Sequence, residues 1–297
     1  MASAFENLLL RMIIVFTAWL TTLVFCAGQG WFSDNLVIIV TIAAVVGLAA
    51  SLLKIAPKVS WKKTELIALL IIIVICLGIG WRHHDLPLGR DPTSYAVAAI
   101  KITESGGLSF GDELARPFHG LSQISKDTFT SQFLPGYNVY LAVFYLGGGL
   151  TGLNLANLPL LFLALAGIFI ITRRLSSAGG GLAAVLFTGS FYATIWFGRR
   201  WTSEILMMTL VLGAVACFVS GVRRRNLAGV LVGFLPVALT ILVRGEGILY
   251  LLAYLLAAVI FIGWYRRELR LVSVAWTLLA LPLIVYITFN DNYFKSA

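Results

Sequence analysis

Charged side chains are scarce in this chain. Of its 297 residues, 12% are Asp, Glu, Lys or Arg and 60% are hydrophobic, whereas a typical soluble domain carries about 25% charged residues. The mean hydropathy of +0.94 reflects the same imbalance. So little charge excludes an ordinary water-soluble domain, and the composition predicts a membrane protein with several spans.

Cysteine and histidine are also scarce, with three residues of each. Cys26, Cys76 and Cys217 each lie inside an apolar run, so the sequence indicates neither a disulfide framework nor a spaced thiolate metal site. His83 and His84 are adjacent and do not share a helical face, and no further ligands accompany them. We therefore expect no metal site at these residues, and the sequence implies no cofactor firmly. Whether the activity depends on a divalent metal ion is a separate question that the sequence leaves open.

Long apolar runs are abundant. A span needs roughly 17 to 25 mostly apolar residues, and nine runs have this character. They are 8–27, 35–54, 65–81, 155–172, 180–198, 203–221, 227–243, 246–263 and 271–289. The first run lacks a small-residue cleavage site, so we interpret it as a span and not as a signal peptide. A tenth stretch, 133–149, is short and interrupted by Pro135 and Gly136, and its assignment decides the topology.

The positive charges decide that assignment. If 133–149 does not cross, 13 of the 22 Lys and Arg residues share one side with only three acids. The 13 residues are Arg11, Lys54, Lys58, Lys62, Lys63, Arg173, Arg174, Arg223, Arg224, Arg225, Arg266, Arg267 and Arg270. By the positive-inside rule this side is the cytoplasm, which places the N-terminus inside and the C-terminus outside. The net charge of +9 then marks orientation beside an anionic leaflet, and no nucleic-acid partner is indicated.

The stretch 133–149 is then expected to form a short helix along the outer membrane interface. Its aromatic residues would anchor it among the lipid headgroups; they are Phe133, Tyr137, Tyr140 and Tyr145.

A loop of roughly 50 residues, 82–132, is the main external feature and is much longer than a connection needs to be. Asp91 followed by Pro92 predicts a helix start, with the carboxylate at the N-cap and proline at the first helical position. An apolar face follows at helical spacing, typical of a helix lying on the membrane surface; its members are Tyr95, Ala98, Ala99 and Ile102. Asp91 is either a simple helix cap or a functional carboxylate.

Further ionisable residues fall on the same predicted side. Glu204 opens a span just after Arg199 and Arg200, and Arg244 lies between two spans beside Glu246. Charges at a membrane edge are often functional. The alternatives are that Arg199 and Arg200 only end a span and that Glu246 only pairs with Arg244.

At these residues the chain resembles the membrane-embedded GT-C glycosyltransferases that use polyprenyl-phosphate sugars, the group that includes the aminoarabinose lipid A transferase and the protein O-mannosyltransferases of glycosyltransferase family 39. RDPTSYAVAAIKITESGG, 90–107, is similar to the family's external Asp motif and first juxtamembrane helix, and LPGYNVYLAVFYLGGG, 134–149, to its second. Glu204 resembles its acid near a later span start, and Arg244 with Gly245 its basic residue before a glycine. Pro92 departs from the family's commoner Glu.

The apolar runs predict an all-α fold of about nine spans, and the resemblance implies two external juxtamembrane helices of the GT-C kind. Residues 1–64 would be two additional N-terminal spans, and 65–297 the shared core with an external loop at 82–154. It also implies a sugar donor linked to a polyprenyl phosphate, an acceptor that the sequence does not identify, and a site on the non-cytoplasmic face.

The same resemblance assigns roles to individual residues. Asp91 would be the general base of an inverting transfer. Arg244 would hold the donor phosphate, because a guanidinium can bind two phosphate oxygens at once. The other expected substrate-binding residues are Glu204, Arg199, Arg200, Tyr95 and Tyr137. A transporter or flippase for lipid-linked sugars and a non-catalytic membrane subunit, which would work with a partner subunit, are the alternative functions.

Overall fold

The computed structural model describes residues 4–53, 62–80, 89–111, 120–125 and 127–265, and this part of the chain is mainly helical. Its first elements are α1 (Ala4–Gly28), α2 (Asp34–Leu53), α3 (Lys63–Gly80), α4 (Arg90–Ser105), β1 (Ser109–Gly111), β2 (Leu121–Ser125) and β3 (Thr128–Ser131). The remaining helices are α5 (Pro135–Leu155), α6 (Asn157–Leu175), α7 (Ala178–Ser190), α8 (Tyr192–Gly198), α9 (Glu204–Arg223), α10 (Leu227–Val232), α11 (Phe234–Leu239) and α12 (Gly247–Tyr265).

Five helices in the described residues are long and apolar enough to cross a membrane, namely α1, α2, α3, α6 and α9. The outward faces of α2 and α3 are strongly apolar: Ile39, Val46 and Leu70 are 64%, 59% and 62% exposed. Apolar surface of this extent is unfavourable in water and stable in lipid. The chain is therefore a helical membrane protein, as its composition predicts.

The later predicted spans are less regular than the sequence indicates. The run 180–198 forms α7 and α8, which meet at an angle of 63° around the extended residue Phe191. The run 227–243 divides into α10, α11 and a short 3-10 turn, Thr240–Leu242. Pro236 has no amide hydrogen for the carbonyl of Val232, where α10 ends.

Of the last two predicted spans, the structure describes the first but not the second. The run 246–263 corresponds to α12, whose apolar portion Gly247–Phe261 is shorter than the five helices above. The run 271–289 lies outside the described residues.

Helices α6 and α9 are both long enough to cross a bilayer. With 19 and 20 residues and a rise of about 1.5 Å per residue, each is roughly 30 Å long, close to the hydrocarbon thickness of a bilayer. Their N-terminal ends lie together, because Asn157 bonds to the loop just before α9. We call this end of the molecule the outer end and the opposite end the inner end, after the predicted orientation.

The inner end is held by ion pairs between helices that are distant in sequence. Glu6 in α1 accepts a hydrogen bond from Nε of Arg174, 3.1 Å away, and lies 2.7 Å from Nη2 of Arg224. Glu65 at the start of α3 pairs with Arg173. Both carboxylates are buried. The three arginines are among those that the charge pattern assigns to one side, and the structure brings them together.

Helix α5 returns to the end at which it starts. Tyr137 and Tyr140, near its beginning, bond to Asn157 and to the carbonyl of Ala156, just beyond its end. The helix reverses at a kink where Gly149 has a φ of 58°, a left-handed conformation that favours glycine. Both ends of this segment therefore lie at the outer end of α6, the arrangement expected of a stretch that does not cross.

The predicted anchoring of α5 is wrong for two of its four aromatic residues. Tyr137 and Tyr140 are fully buried, and Phe133 stacks on Tyr95 with ring centroids 4.4 Å apart. The apolar face of α4 is buried in the same way, with Ala98 and Ala99 fully covered. Helices α4 and α5 pack on protein, because each supplies the apolar surface that the other needs.

A small antiparallel sheet, with strand order β1-β3-β2, follows α4 in the loop that the sequence predicts to be external, and the all-α prediction does not include it. Phe110 and Phe129 are paired across β1 and β3 and are both buried. The strands are too short to form a sheet without that apolar pair and the adjoining helices.

Helix α1 belongs to the same core as α6 and α9. Its residues Leu9, Ile13 and Leu20 are buried and form one cluster with Leu165 of α6 and Leu210 of α9. The predicted division at residue 64 stays a prediction, and the first of its two N-terminal spans, α1, packs directly against α6 and α9. Helix α2, by contrast, is largely exposed.

Candidate active site

Asp91 lies in the first turn of α4 at the outer end of the molecule. The predicted N-cap role is wrong, because the helix begins at Arg90 and its N-cap is Gly89, with a φ of 107°. Pro92 then occupies the third helical position, where an amide hydrogen has no partner within the helix in any case. The Asp91 side chain is exposed and, among the described residues, makes no hydrogen bond or ion pair. Its carboxylate is open to a ligand.

Tyr95 lies one helical turn after Asp91 and so on the same face of α4. Its hydroxyl donates a hydrogen bond to Oγ of Ser203, 3.0 Å away. Its ring stacks on Phe133 and meets Tyr137 edge-on, with centroids 5.0 Å apart. Burial raises the pKa of Tyr95 to about 12, with the Glu204 and Asp91 carboxylates adding to the rise. The hydroxyl therefore remains a hydrogen-bond donor at neutral pH.

Arg244 joins the turn before α12 to the start of α9. Its Nη1 lies 2.8 Å from Oε1 of Glu204 and 3.5 Å from Oγ of Ser203, and its Nη2 lies 3.3 Å from Oε1 of Glu246. Hydrogen bonding to Glu246 raises the pKa of Arg244 and lowers that of Glu246. The side chains of Arg244 and Glu204 are 35% and 36% exposed, so a ligand can reach the pair.

Asn157 positions the loop that carries Ser203. Its amide nitrogen donates to the carbonyls of Phe197 and Arg200, at 3.1 and 2.5 Å. Its side-chain oxygen accepts a hydrogen bond of 2.8 Å from Tyr137. Sequence reasoning missed this residue, and the only signal was a polar side chain at the start of an apolar run.

Arg199 and Arg200 precede Ser203 but do not join the Arg244 cluster. Nε of Arg199 donates to the carbonyl of Ile79 at the end of α3, 3.3 Å away. The Arg200 guanidinium lies 3.5 Å from the ring centroid of Trp196, a cation–π contact. Within the described part of the chain neither arginine pairs with a carboxylate.

The structure thus brings together most of the predicted site. Tyr95, Glu204 and Arg244 meet at Ser203, and Asp91 lies on the same helix face as Tyr95. Tyr137 contributes its ring to Tyr95 and its hydroxyl to Asn157, and so it supports the site from behind. We call Tyr95, Ser203, Glu204 and Arg244 the outer cluster. It contains a protonated hydroxyl, an accessible cation and one carboxylate, with the Asp91 carboxylate on the same helix face as Tyr95, a set suited to holding an anion beside an acceptor group.

The ranges 4–53, 62–80, 89–111, 120–125 and 127–265 contain no group of three or more His, Cys, Asp or Glu residues that could hold a metal ion. His83 and His84 lie outside the described residues.

Comparison with known proteins adds no relative. The chain matches no protein-family model, no curated protein and no solved structure.

Proposed function

We propose that the chain is an inverting GT-C-type glycosyltransferase that moves a sugar from a polyprenyl-phosphate donor to an acceptor hydroxyl. The observation that carries the proposal is the hydrogen-bonded path from Tyr95 through Ser203 to Arg244 and Glu204. It links three separate regions that the sequence singles out, the helix after Asp91, the start of α9 and the turn before α12.

Asp91 is the general base of this reaction. The acceptor oxygen attacks the anomeric carbon, its proton passes to the Asp91 carboxylate, and the bond between the anomeric carbon and the phosphate oxygen breaks. The electron pair of that bond leaves with the polyprenyl phosphate. An exposed carboxylate without a partner among the described residues is suited to this role, because no existing hydrogen bond has to break first.

Arg244 stabilises the phosphate as it leaves. Its guanidinium can offer two parallel N–H groups to phosphate oxygens, and the electrostatic gain is largest as charge develops on the leaving group. Glu246 is the partner that a phosphate replaces, since its side chain is 58% exposed. Glu204 keeps the guanidinium oriented from the other side.

The remaining predicted residues act around this pair. The Tyr95 hydroxyl can turn from Ser203 to a ligand oxygen, and its burial keeps it protonated. Arg199 and Arg200 provide further positive charge near the outer end, where neither is neutralised by a described carboxylate. Tyr137 is a positioning residue, because it reaches the site through the ring of Tyr95 and through its hydrogen bond to Asn157.

The proposed topology has nine spans, with the N-terminus in the cytoplasm and the outer cluster on the external or periplasmic face. Donor and acceptor would then meet outside, with the lipid tail of the donor between spans. The positive-charge bias and the return of α5 to the outer end support this arrangement.

The test is transfer by the purified protein in lipid vesicles, with a panel of radiolabelled polyprenyl-phosphate sugars and lipid, glycan and peptide acceptors. Asp91→Asn should lower kcat by about a hundredfold or more, within the range of general-base contributions. Arg244→Ala should also lower kcat, whereas Arg244→Lys should retain part of the rate.

Glu104→Gln is the matched control, because this carboxylate lies on the same helix as Asp91 and is 57% exposed. Full transfer by Asp91→Asn would eliminate Asp91 as the base. If the parent protein transfers no sugar from any donor, the result favours the alternative function, a non-catalytic membrane subunit. Movement of donor across the vesicle membrane without transfer would instead support a flippase.

A further inference from the structure

A cavity lies at the inner end of the molecule, opposite the outer cluster. It has a volume of about 440 Å³ and is lined by one face of α1, the end of α2, the end of α9 and by α10. Pockets for small ligands commonly have volumes of about 300–1,000 Å³. The cavity is thus large enough for a lipid headgroup, and it shares no residue with the proposed active site.

The cavity contains an arginine within a membrane span. Arg11 lies inside the apolar stretch Phe5–Gly28, and its Nη1 donates to the carbonyl of Ser51 near the end of α2, 2.8 Å away. Among the described residues it has no carboxylate partner. A charged side chain within a span is costly and is usually retained for a function.

The inner end carries an excess of positive charge around this cavity. Arg174 and Arg224 share the single carboxylate of Glu6, and Arg11 adds a third positive charge to that one negative charge. Nη1 of Arg224 also contacts the side-chain oxygen of Asn7, 3.2 Å away. The cavity therefore favours an anionic occupant.

The lining is graded from polar to apolar with depth on each of its long walls. On α1, Asn7 and Arg11 are followed on the same face by Ile14 and Val15. At 1.5 Å per residue, Val15 lies about 12 Å beyond Asn7 and about 6 Å beyond Arg11. On α9, Arg224 lies at the helix end and Cys217 deeper in the membrane region. A free phosphate would use only the polar part of such a cavity, whereas a phospholipid would use both.

We propose that this cavity binds an anionic phospholipid of the inner leaflet. Arg11 and Arg224 hold the headgroup phosphate by charge-assisted hydrogen bonds. One acyl chain follows Ile14 and Val15 toward the centre of the bilayer. This site is independent of the proposed glycosyl transfer and concerns the opposite end of the molecule.

The experiment measures thermal unfolding of the purified full chain in detergent micelles, titrated with phosphatidylglycerol, with phosphatidylcholine or with inorganic phosphate. Native mass spectrometry counts the lipid that is retained. Phosphatidylglycerol should raise the Tm and remain bound, and the other two probes should have little effect. Arg11→Gln should weaken binding of phosphatidylglycerol about tenfold, as expected for the loss of one charge-assisted hydrogen bond.

Arg223→Gln is the matched control, since Arg223 is exposed at the same helix end and does not line the cavity. Asn226→Asp provides a variant that preserves the fold. Asn226 lines the cavity and caps α10 through a hydrogen bond from Ala228, and Asp makes the same cap. Its added negative charge should weaken binding of phosphatidylglycerol while the Tm without lipid stays near that of the parent.

Three results would overturn the proposal. One is an equal response to phosphatidylcholine, which would show that headgroup charge is not recognised. Another is an equal response to inorganic phosphate, which would indicate a free-anion site. The third is full retention of phosphatidylglycerol by both Arg11→Gln and Asn226→Asp.

Discussion

The hydroxyl of Tyr95 donates a hydrogen bond to Ser203, 3.0 Å away and 108 residues later in the chain. This bond attaches α4 to the start of α9, and Arg244 contacts the same serine from the turn before α12. Helix α4, which carries Asp91 in its first turn, is thus held in a fixed position relative to Glu204 and Arg244. Among the described residues these are the two charged side chains that meet at Ser203.

Removing that hydroxyl should loosen the attachment without disturbing the ring packing. In Tyr95→Phe the stack on Phe133 is kept and the bond to Ser203 is lost, so we expect a loss of about 1 kcal/mol in the free energy of unfolding. Thermal unfolding in detergent measures this loss of stability. Tyr192→Phe is the control, because Tyr192 is 69% exposed, and an equal loss there would show that the Ser203 bond contributes nothing specific.

The raised pKa of Tyr95 predicts a dependence on alkaline pH. The pKa lies at about 12 in the folded chain and at 10.0 for an ordinary tyrosine, so the unfolded chain releases this proton first. The contribution of Tyr95 to stability is therefore complete below pH 10.0 and is lost as the pH rises toward about 12. The difference in Tm between the parent and Tyr95→Phe should shrink across this window, and a constant difference would contradict the assignment.

Glu6 should be the most sensitive carboxylate at the inner end. Its side chain is 2% exposed and lies between Arg174 and Arg224, so Glu6→Gln leaves two guanidinium groups without a counter-charge. Breaking a buried pair in this way costs roughly 3 kcal/mol. Asp34→Asn, at an exposed acid in the first turn of α2, should change the Tm little, and similar effects of both changes would refute the special role of Glu6.

Asn157 should matter more than any other polar side chain at the outer end. Asn157→Ala removes the partners of Tyr137 and of the Phe197 and Arg200 carbonyls, and at about 1 kcal/mol per hydrogen bond the loss is roughly 2–3 kcal/mol. The control is Asn154→Ala, because Asn154 is partly exposed. The measurement compares the free energies of unfolding of the two variants. Equal stability of the two variants would contradict the proposed positioning role.

The orientation in the membrane can be tested with single cysteines. In a chain whose three native cysteines are replaced, Glu104→Cys should react with an impermeant thiol reagent in intact cells, and Arg223→Cys only after the membrane is opened. Both positions are exposed, so access to the reagent depends on the side of the membrane. The reverse labelling pattern would invert the proposed topology.

The sequence by itself determined the class of the protein and the grouping of its charges. Hydropathy depends on composition and not on contacts, so the runs that became α1, α2, α3, α6 and α9 were recognisable at once. The positive-charge bias placed Arg173, Arg174 and Arg224 on one side, and the ion pairs with Glu6 and Glu65 join those same residues. Such a bias can be counted without knowing any partner.

Only the tertiary structure decided which residues meet. Tyr137 and Tyr140 are aromatic residues of the kind that anchor a helix at the membrane interface, but the fold buries both. Tyr137 packs against α4 and α6, and Tyr140 against Phe16 and Trp19 of α1. Asn157 carried no pattern in sequence, since its three bonds go to residues 20 to 43 positions away. The breaks within 180–198 and 227–243 also escaped prediction, because hydropathy measures how apolar a run is and not whether its helix is continuous.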